Sequence, residues 1–310
     1  MDVVWLARLQ FSLTIMFHFL FPPVSIGLAF LVLALETARW RTGKDVYRRA
    51  SDFWLGILAL TFVVGVATGI VMEFEFGTNW AAYSRFVGDI FGAPLAAEGL
   101  FAFFLESFFI GLLVFGRKRI SSFVRWFASL MVALGTAISA FWIIVANSWM
   151  QTPAGYRLGE GRAELADFAA AVFNPSTWPR YLHTMTACWT MGAFLVAGVA
   201  AWYHLKGRRS DVARVSLRLG TVAAFVAVVL NVATGDYHAK QVAATQPVKF
   251  AAMEGLFDTQ RGAPLVAFML PPTQQGPRQG PAILIPKAAS LLAFGDLDAE
   301  VKGLRDYPPG

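Results

Sequence analysis

Cysteine is almost absent from this sequence of 310 residues, which contains a single cysteine, Cys188, within an apolar run. One cysteine permits no internal disulfide, and the lack of a C-x-x-C-H motif excludes covalent haem attachment. Charged residues are also scarce, at 15% of the chain, whereas hydrophobic residues make up 56%. Such a composition is typical of a protein that crosses a membrane several times and argues against a soluble domain.

The sequence does contain six apolar segments that are long enough to cross a bilayer. About 20 helical residues span a hydrocarbon core of about 30 Å. We therefore predict an all-α membrane protein with six transmembrane helices and a helical bundle over residues 1–235. Pro22 and Pro23 fall inside the first segment and predict a kink there. The six segments lie at about 11–36, 53–72, 94–115, 124–148, 180–204 and 215–235.

The cations between these segments predict an orientation. A net charge of +6 can indicate a nucleic-acid partner, but here the cations form short clusters between apolar runs, so we predict no such partner. Lysine and arginine are dense in the first, third and fifth loops, which places those loops in the cytoplasm and the N-terminus outside. The cations concerned are Arg39, Arg41, Lys44, Arg48 and Arg49, then Arg117, Lys118, Arg119 and Arg125, then Lys206, Arg208, Arg209, Arg214 and Arg218.

The last part of the chain, residues 236–310, differs in composition from the bundle. It is punctuated by proline, glycine and glutamine, as in GAPLVAFMLPPTQQGPRQGPAILIP at 262–286, and it contains no run long enough to cross a membrane. With the orientation predicted above, this part emerges on the outer side of the membrane. We therefore predict an extracytoplasmic loop domain over 236–310.

Two glutamates lie inside the third apolar segment, in APLAAEGLFAFFLESFF at 93–109. An ionisable group within hydrocarbon is costly and is usually paired or functional. In a regular α-helix Glu106 would lie about 12 Å deeper than Glu98 and about 80° around the helix axis. This spacing suits a proton relay, although Glu98 alone is also consistent with an interfacial residue.

The four histidines of the chain are the candidate metal ligands. His18 and His183 are each predicted to lie near the outer end of a span. Neutral imidazole is a common axial ligand of haem iron, but a single histidine in a span is more often a packing or interfacial residue. His204 lies beside a basic cluster and has the context of an interface residue, and His238, just past the sixth segment, is ambiguous.

Three segments rich in small residues would leave room for a macrocycle between the helices. They are GVATG at 65–69, GTAIS at 135–139 and MGAFLVAG at 191–198. Small residues also allow ordinary close packing of helices. Both interpretations therefore stay open for all three segments.

Several motifs, taken together, resemble subunit I of cytochrome bd-type quinol oxidases over nearly the whole chain. The resemblance implies a respiratory enzyme that couples quinol oxidation to the reduction of dioxygen to water. It also implies three non-covalent haems in this subunit: a low-spin haem b, a high-spin haem b, and either haem d or a further haem b. The motifs are RLQFSLTIMFHFLFPP (8–23), MEFEFGTNW (72–80), VGDIFGAPLAAEGLFAFFLES (87–107), VANSWMQTPAG (145–155), YLHTM (181–185), AWYHLKGR (201–208) and KFAAMEG (249–255).

The resemblance implies a role for each matching residue of the bundle. His18 matches the axial ligand of one of the two high-spin haems, and His183 matches one ligand of the low-spin haem b. Glu98 matches an acid at or beside haem iron. Glu106 matches an acid in the proton path from the cytoplasm.

Lys249 and Glu254, in KFAAMEG, match the outer quinol-binding loop of the family. A base there accepts protons as ubiquinol or menaquinol is oxidised. Because those protons leave outside while oxygen reduction takes protons from the cytoplasm, the reaction builds a potential without pumping. The implied partners are subunit II, with or without a small accessory membrane subunit, in the bacterial cytoplasmic (inner) membrane.

The resemblance also implies parts that this sequence does not show. Family members have about nine spans, and a methionine ligand and a second carboxylate ligand would lie further along. We therefore expect a fragment, a split or truncated product, or a remainder supplied by another chain. Two other functions stay open: a truncated, inactive fragment that only packs against partners, and a multi-span transporter in which Glu98 and Glu106 bind a proton or cation.

Overall fold

The computed structural model describes residues 2–117, 119–208, 210–270 and 282–308. Its six long helical segments have the length and apolarity needed to cross a membrane, which confirms the predicted all-α membrane fold. The predicted loop cations Lys118 and Arg209, and residues 271–281 and 309–310 of the predicted loop domain, lie outside the described residues. The six segments are Val3–Thr42, Asp45–Thr78, Ala81–Phe115, Ser122–Gln151, Thr177–Leu205 and Asp211–Thr245.

The first span consists of two helices, α1 (Val3–His18) and α2 (Pro22–Thr42). Pro22 and Pro23 occupy the first turn of α2, where a missing N–H group costs no helical hydrogen bond. Just before them the backbone N–H of Phe21 bonds to the carbonyl of His18 at 3.0 Å. The predicted kink is confirmed, and it makes His18 the last residue of α1.

The other spans are built from six long α-helices and one π-helical segment. In the third span, six residues wound as a π-helix join α4 to α5 without a break, which the sequence did not predict. The long helices are α3 (Asp45–Thr78), α4 (Ala81–Ala97), α5 (Phe104–Phe115), α6 (Ser122–Gln151), α8 (Thr177–Leu205) and α9 (Asp211–Thr245), the π segment is Glu98–Phe103, and the short helices are α7 (Phe168–Val172), α10 (Pro247–Met253) and α11 (Ala288–Phe294).

The chain divides into two compact units, Met1–Thr177 with Tyr181–Asn231, and Trp178–Arg180 with Val232–Gly310. In the first unit α2 and α8 touch through their backbones, since a Cβ added to Gly27 would lie 2.7 Å from the Cα of Gly192. Small residues allow such close approach of membrane helices. Helices α2, α3, α5, α6 and α8 contribute to the main core of this unit, which includes Leu28, Val32, Leu35, Trp54, Leu58, Leu113, Val132 and Val196.

Short antiparallel strand pairs occur outside the spans in both units. The sequence did not predict them, and they leave the all-α membrane part unchanged. In the second unit Phe250, Leu256, Ala289 and Val301 form a small core. The pairs are β1 (Tyr156–Gly159) with β2 (Arg162–Leu165) in the first unit, and β3 (Gln260–Arg261) with β6 (Glu300–Val301) and β4 (Leu265–Met269) with β5 (Ala282–Ile285) in the second.

Arg125, counted with the third-loop cations in the sequence, is instead buried near the start of α6. Its Nη2 lies 2.6 Å from Oε1 of Glu36 and 2.9 Å from Oδ1 of Asp52. The hydroxyl of Ser51 donates a hydrogen bond to the same Oε1 at 2.5 Å. These contacts join α2, α3 and α6 through buried charges of opposite sign.

Candidate functional site

His18 is held against α3 by the small-residue segment 65–69. Its Nδ1 lies 2.9 Å from Oγ1 of Thr68. A Cβ added to Gly69 would lie 3.2 Å from the imidazole Cε1, so the ring packs tightly over this glycine. Imidazoles that bind a metal are typically fixed in this way through their other ring nitrogen. The surroundings of His18 therefore fit an axial ligand.

Glu98 and Glu106 both contact the small-residue segment 135–139 of α6. The hydroxyl of Ser139 donates to Oε1 of Glu98 at 2.8 Å. Glu106 is 7% exposed, and a Cβ added to Gly135 would lie 2.7 Å from its Cγ. Since Gly135 and Ser139 are one helical turn apart, the two glutamates lie against the same face of α6.

The π segment explains how the two glutamates share that face. The predicted 80° between them assumed a regular α-helix, but Glu98 begins a π segment that continues to Phe103. Hydrogen bonds from residue i to i+5 rotate the chain less per residue than those of an α-helix, so the angle becomes smaller. Pro94, within the last turn of α4, lacks the N–H that would continue the regular pattern. π-Helical turns are frequent at functional sites.

Two further glutamates were missed by sequence reasoning, although the motif MEFEFGTNW contains them. Glu73 lies within electrostatic range of Glu98. Glu75 is 4% exposed, and its Oε1 accepts a hydrogen bond from the hydroxyl of Thr14 at 2.8 Å. The sequence did contain a signal for them, because two carboxyl groups lie two residues apart near the end of an apolar helix.

His183 lies in the second turn of α8 and is half-buried. The amide of Asn231 lies 3.4 Å from the backbone carbonyl of His183 and 3.1 Å from Oγ1 of Thr186, which ties this turn to α9. Within the described residues no three His, Cys, Asp or Glu side chains form a group that would hold a bare metal ion. Histidines that bind iron here would therefore act singly, as axial ligands of haem do.

Lys249 and Glu254 lie on α10 and directly after it, in the second unit. Burial lowers the pKa of Lys249, and the positive charge of Arg180 lowers it further. Burial raises the pKa of Glu254, and a hydrogen bond with the backbone of Val266 partly opposes that shift. Both shifts favour the neutral form, so these side chains can exchange protons closer to neutral pH than free lysine and glutamate do.

These features define a helical membrane protein with several spans and with buried ionisable groups inside the bundle. The chain belongs to the cytochrome bd terminal oxidase subunit I family, whose model matches residues 6–310. The resemblance found in the sequence is thus confirmed.

The chain is similar to subunits of this family from several bacteria. It is 43% identical to the cytochrome bd-II ubiquinol oxidase subunit 1 of Escherichia coli (strain K12), over 98% of this chain and 60% of that protein. It is 41% identical to the cytochrome bd ubiquinol oxidase subunit 1 of Bacillus subtilis (strain 168), over 98% and 65%. It therefore spans less than two thirds of the length of these two relatives.

A solved structure with the same fold is that of the bd oxidase from Geobacillus thermodenitrificans. The two chains superpose with a TM-score of 0.91 at 30% sequence identity. The match covers 98% of this chain and 70% of that one.

Proposed function

We propose that this chain is the haem-bearing subunit of a quinol oxidase in the bacterial inner membrane. In this proposal quinol is oxidised at the outer face, and dioxygen is reduced to water with protons from the cytoplasm. The observation that carries the proposal is the placement of Glu98 and Glu106 on one face of α6, in a family of terminal oxidases. Membership of that family favours this function over the transporter considered above.

His18 and His183 are the residues that would hold haem. His18 would bind one high-spin haem, and the fixed imidazole beside Gly69 supports this role. His183 would bind the low-spin haem b. A third haem, of type d or b, belongs to the same proposal. When bound, these groups accept electrons from quinol and deliver them to dioxygen.

Glu106 and Glu98 would carry the protons that this reaction consumes. Glu106 takes a proton at its carboxyl group from the cytoplasmic side and passes it toward Glu98. The hydroxyl of Ser139 orients the carboxyl group of Glu98 through Oε1. Gly135 provides the space in which the side chain of Glu106 lies. A carboxyl group inside an otherwise dry bundle is a suitable station for such a relay.

Lys249 and Glu254 would bind quinol within the proposed extracytoplasmic domain, residues 236–310. A group with a pKa shifted toward neutrality is suited to accept a proton from a quinol hydroxyl. The substrate is ubiquinol or menaquinol, and the name of the Escherichia coli relative supports the former. The proposed partner is subunit II, with or without a small accessory membrane subunit.

The proposed orientation, with the N-terminus extracytoplasmic, is testable through introduced cysteines. Cys188 is buried, so a Cys188→Ser background leaves a chain without native thiols. Arg157→Cys should react with a membrane-impermeant maleimide in intact cells. Arg41→Cys should react only after the cells are opened. The reverse pattern would refute the orientation.

A reduced-minus-oxidised spectrum of the purified protein tests the haem assignment. We expect His183→Ala to remove the low-spin haem signal, because one axial ligand is lost. His204→Ala, a control on the same helix, should keep that signal. Quinol-dependent oxygen uptake by the same preparation tests the activity. A colourless wild-type protein would refute the oxidase proposal, and a normal spectrum of His183→Ala would refute the ligand role of that residue.

A further inference from the structure

The contact between α1 and α3 contains a second acidic site, which the proposed proton path does not use. The two helices run antiparallel, and polar side chains meet along their contact. We call this line of contacts the α1–α3 seam. Its polar pairs are Gln10 with Asn79 at 3.3 Å, Thr14 with Glu75 at 2.8 Å, and His18 with Thr68 at 2.9 Å.

Glu75 is the charged residue of this seam, and it is only partly satisfied. Its Oε1 accepts the hydrogen bond from Thr14, but its Oε2 is buried and has no hydrogen-bond partner among the described residues. Phe11 covers the neighbouring surface, with its ring centroid 5.7 Å from that of Phe76 and 5.0 Å from that of Trp80. Aromatic side chains therefore pack beside the part of the seam that contains Glu75.

No cation of the described part of the chain forms an ion pair with Glu75. A buried carboxylate without a counter-charge is strongly disfavoured. A positive species bound at Oε2 would remove this cost. Thr14 and Glu75 together supply too few oxygen atoms for a metal ion such as Ca²⁺, which takes six to eight. A proton needs only one.

The position of Thr14 connects this carboxyl group with the candidate haem ligand. Thr14 lies four residues before His18 on α1, so the two side chains are on the same face about 6 Å apart along the axis. A threonine hydroxyl both donates and accepts hydrogen bonds. At the end of the seam away from His18, the Gln10–Asn79 pair is exposed and gives water access to the seam.

We propose that Glu75, with Thr14, is a proton-binding site whose occupancy follows the charge of the centre held by His18. An O–H bond at the Glu75 carboxyl group forms when that centre gains an electron and breaks when the electron leaves, and Glu75 itself is neither oxidised nor reduced. The proton enters along the α1–α3 seam, separately from Glu98 and Glu106. The coupling to His18 rests on the proposed haem function, whereas the proton site itself does not.

Infrared difference spectra of the haem-loaded protein, reduced minus oxidised, test the coupling. We expect a carboxylic acid C=O band that is lost in Glu75→Gln and kept in Glu160→Gln, a control at an exposed turn. Thr14→Val should shift the band because the hydroxyl no longer bonds Oε1. Thr42→Val, whose hydroxyl bonds within its own helix, should leave the band in place. An unchanged band in Glu75→Gln would overturn the coupling.

Carbodiimide labelling of the full chain in membranes tests the proton site without haem. Dicyclohexylcarbodiimide forms a stable adduct with protonated carboxyl groups in apolar surroundings, and peptide mass spectrometry locates it. We expect an adduct on Glu75 to the same extent with and without Na⁺. Protection by Na⁺ would identify a sodium site instead, and absence of the adduct would overturn the proposal. If Glu75 is labelled in a protein that is colourless, the proton site is supported and its coupling to haem is refuted.

Discussion

Buried carboxyl groups occur in two regions of the bundle, and their neighbours differ. Near the start of α6, Glu36 is 1% exposed and contacts the guanidinium of Arg125 at 2.6 Å. Glu106 and Glu75 are buried to a similar degree, yet neither joins an ion pair in the part of the chain that the structure describes. The two regions therefore differ in whether the carboxyl group has a counter-charge, and not in how deeply it is buried.

The difference assigns the two regions different physical roles. Two buried charges of opposite sign are stable only while both are present. Such an ion pair therefore holds together the helices that carry the two charges. A buried acid without a cation contributes little to such fixation and is a functional candidate by default. The same substitution should therefore have opposite consequences in the two places.

The largest effect is expected from removing the buried cation. Arg125→Met should leave Glu36 and Asp52 without their counter-charge and lower the free energy of unfolding by about 3–5 kcal/mol. Thermal unfolding in detergent measures the loss. Arg117→Met is the matched control, because Arg117 contacts the same Asp52 but is half-exposed, and we expect a loss of about 0–1 kcal/mol. Equal losses would contradict the distinction.

Next in size is the effect of neutralising Glu106. Glu106→Gln should slow quinol-dependent oxygen uptake on the order of 100-fold, because a proton carrier is lost. Its haem content and unfolding temperature should stay unchanged. Glu36→Gln should have the reverse effect. It should lower the stability of the protein and leave the turnover unchanged. If Glu106→Gln destabilises the protein as Glu36→Gln does, the two regions do not differ in role.

A smaller effect is expected from filling the space beside Glu106. A methyl group in Gly135→Ala would lie 2.7 Å from the Cγ of Glu106 and must displace that side chain. We expect a loss of about 1–3 kcal/mol in stability together with slower turnover. Gly111→Ala on α5 meets nothing within 4 Å and serves as the control. Identical behaviour of the two variants would show that the space around Glu106 is not critical.

The smallest effect is expected outside the bundle, at Glu254. Because burial raises its pKa in the folded protein, Glu254 loses its proton at higher pH in the folded state than in the unfolded state. The contribution of this group to the free energy of unfolding is therefore fully present below the ordinary glutamate pKa, and it decreases as pH rises above that value. Glu254→Gln should flatten that decrease in unfolding measured across pH. A slope that Glu254→Gln leaves unchanged would exclude this residue as its source.

The membrane fold was predictable because its signals are local. Six apolar segments and the pair Pro22–Pro23 give the spans and the kink directly, since helix length and the missing proline N–H act over neighbouring residues. The short strand pairs were not predictable. β3 and β6, for example, pair across about 40 residues of chain, and two-residue strands carry no periodicity.

The candidate site was predicted only in part. The charge and type of His18, Glu98 and Glu106 are visible in the sequence, whereas Glu75 lies beyond the predicted end of the second span and was not singled out. Its burial depends on α1 packing over α3, which no local pattern encodes. The segments 65–69, 135–139 and 191–198 look alike in sequence, yet the first two contact ionisable side chains and the third packs against Gly27.

The sequence by itself determined that this chain contains six segments apolar enough to cross a membrane, with acids and histidines among them, because apolarity and residue type are properties of the residues themselves. Only the tertiary structure decided which acids meet a cation and which meet a glycine or a hydroxyl. Those choices depend on the π turn that begins at Glu98 and on contacts between helices far apart in the chain, such as that of Glu36 with Arg125. The physical reason is that the electrostatic cost of a buried charge is set by its neighbours in space.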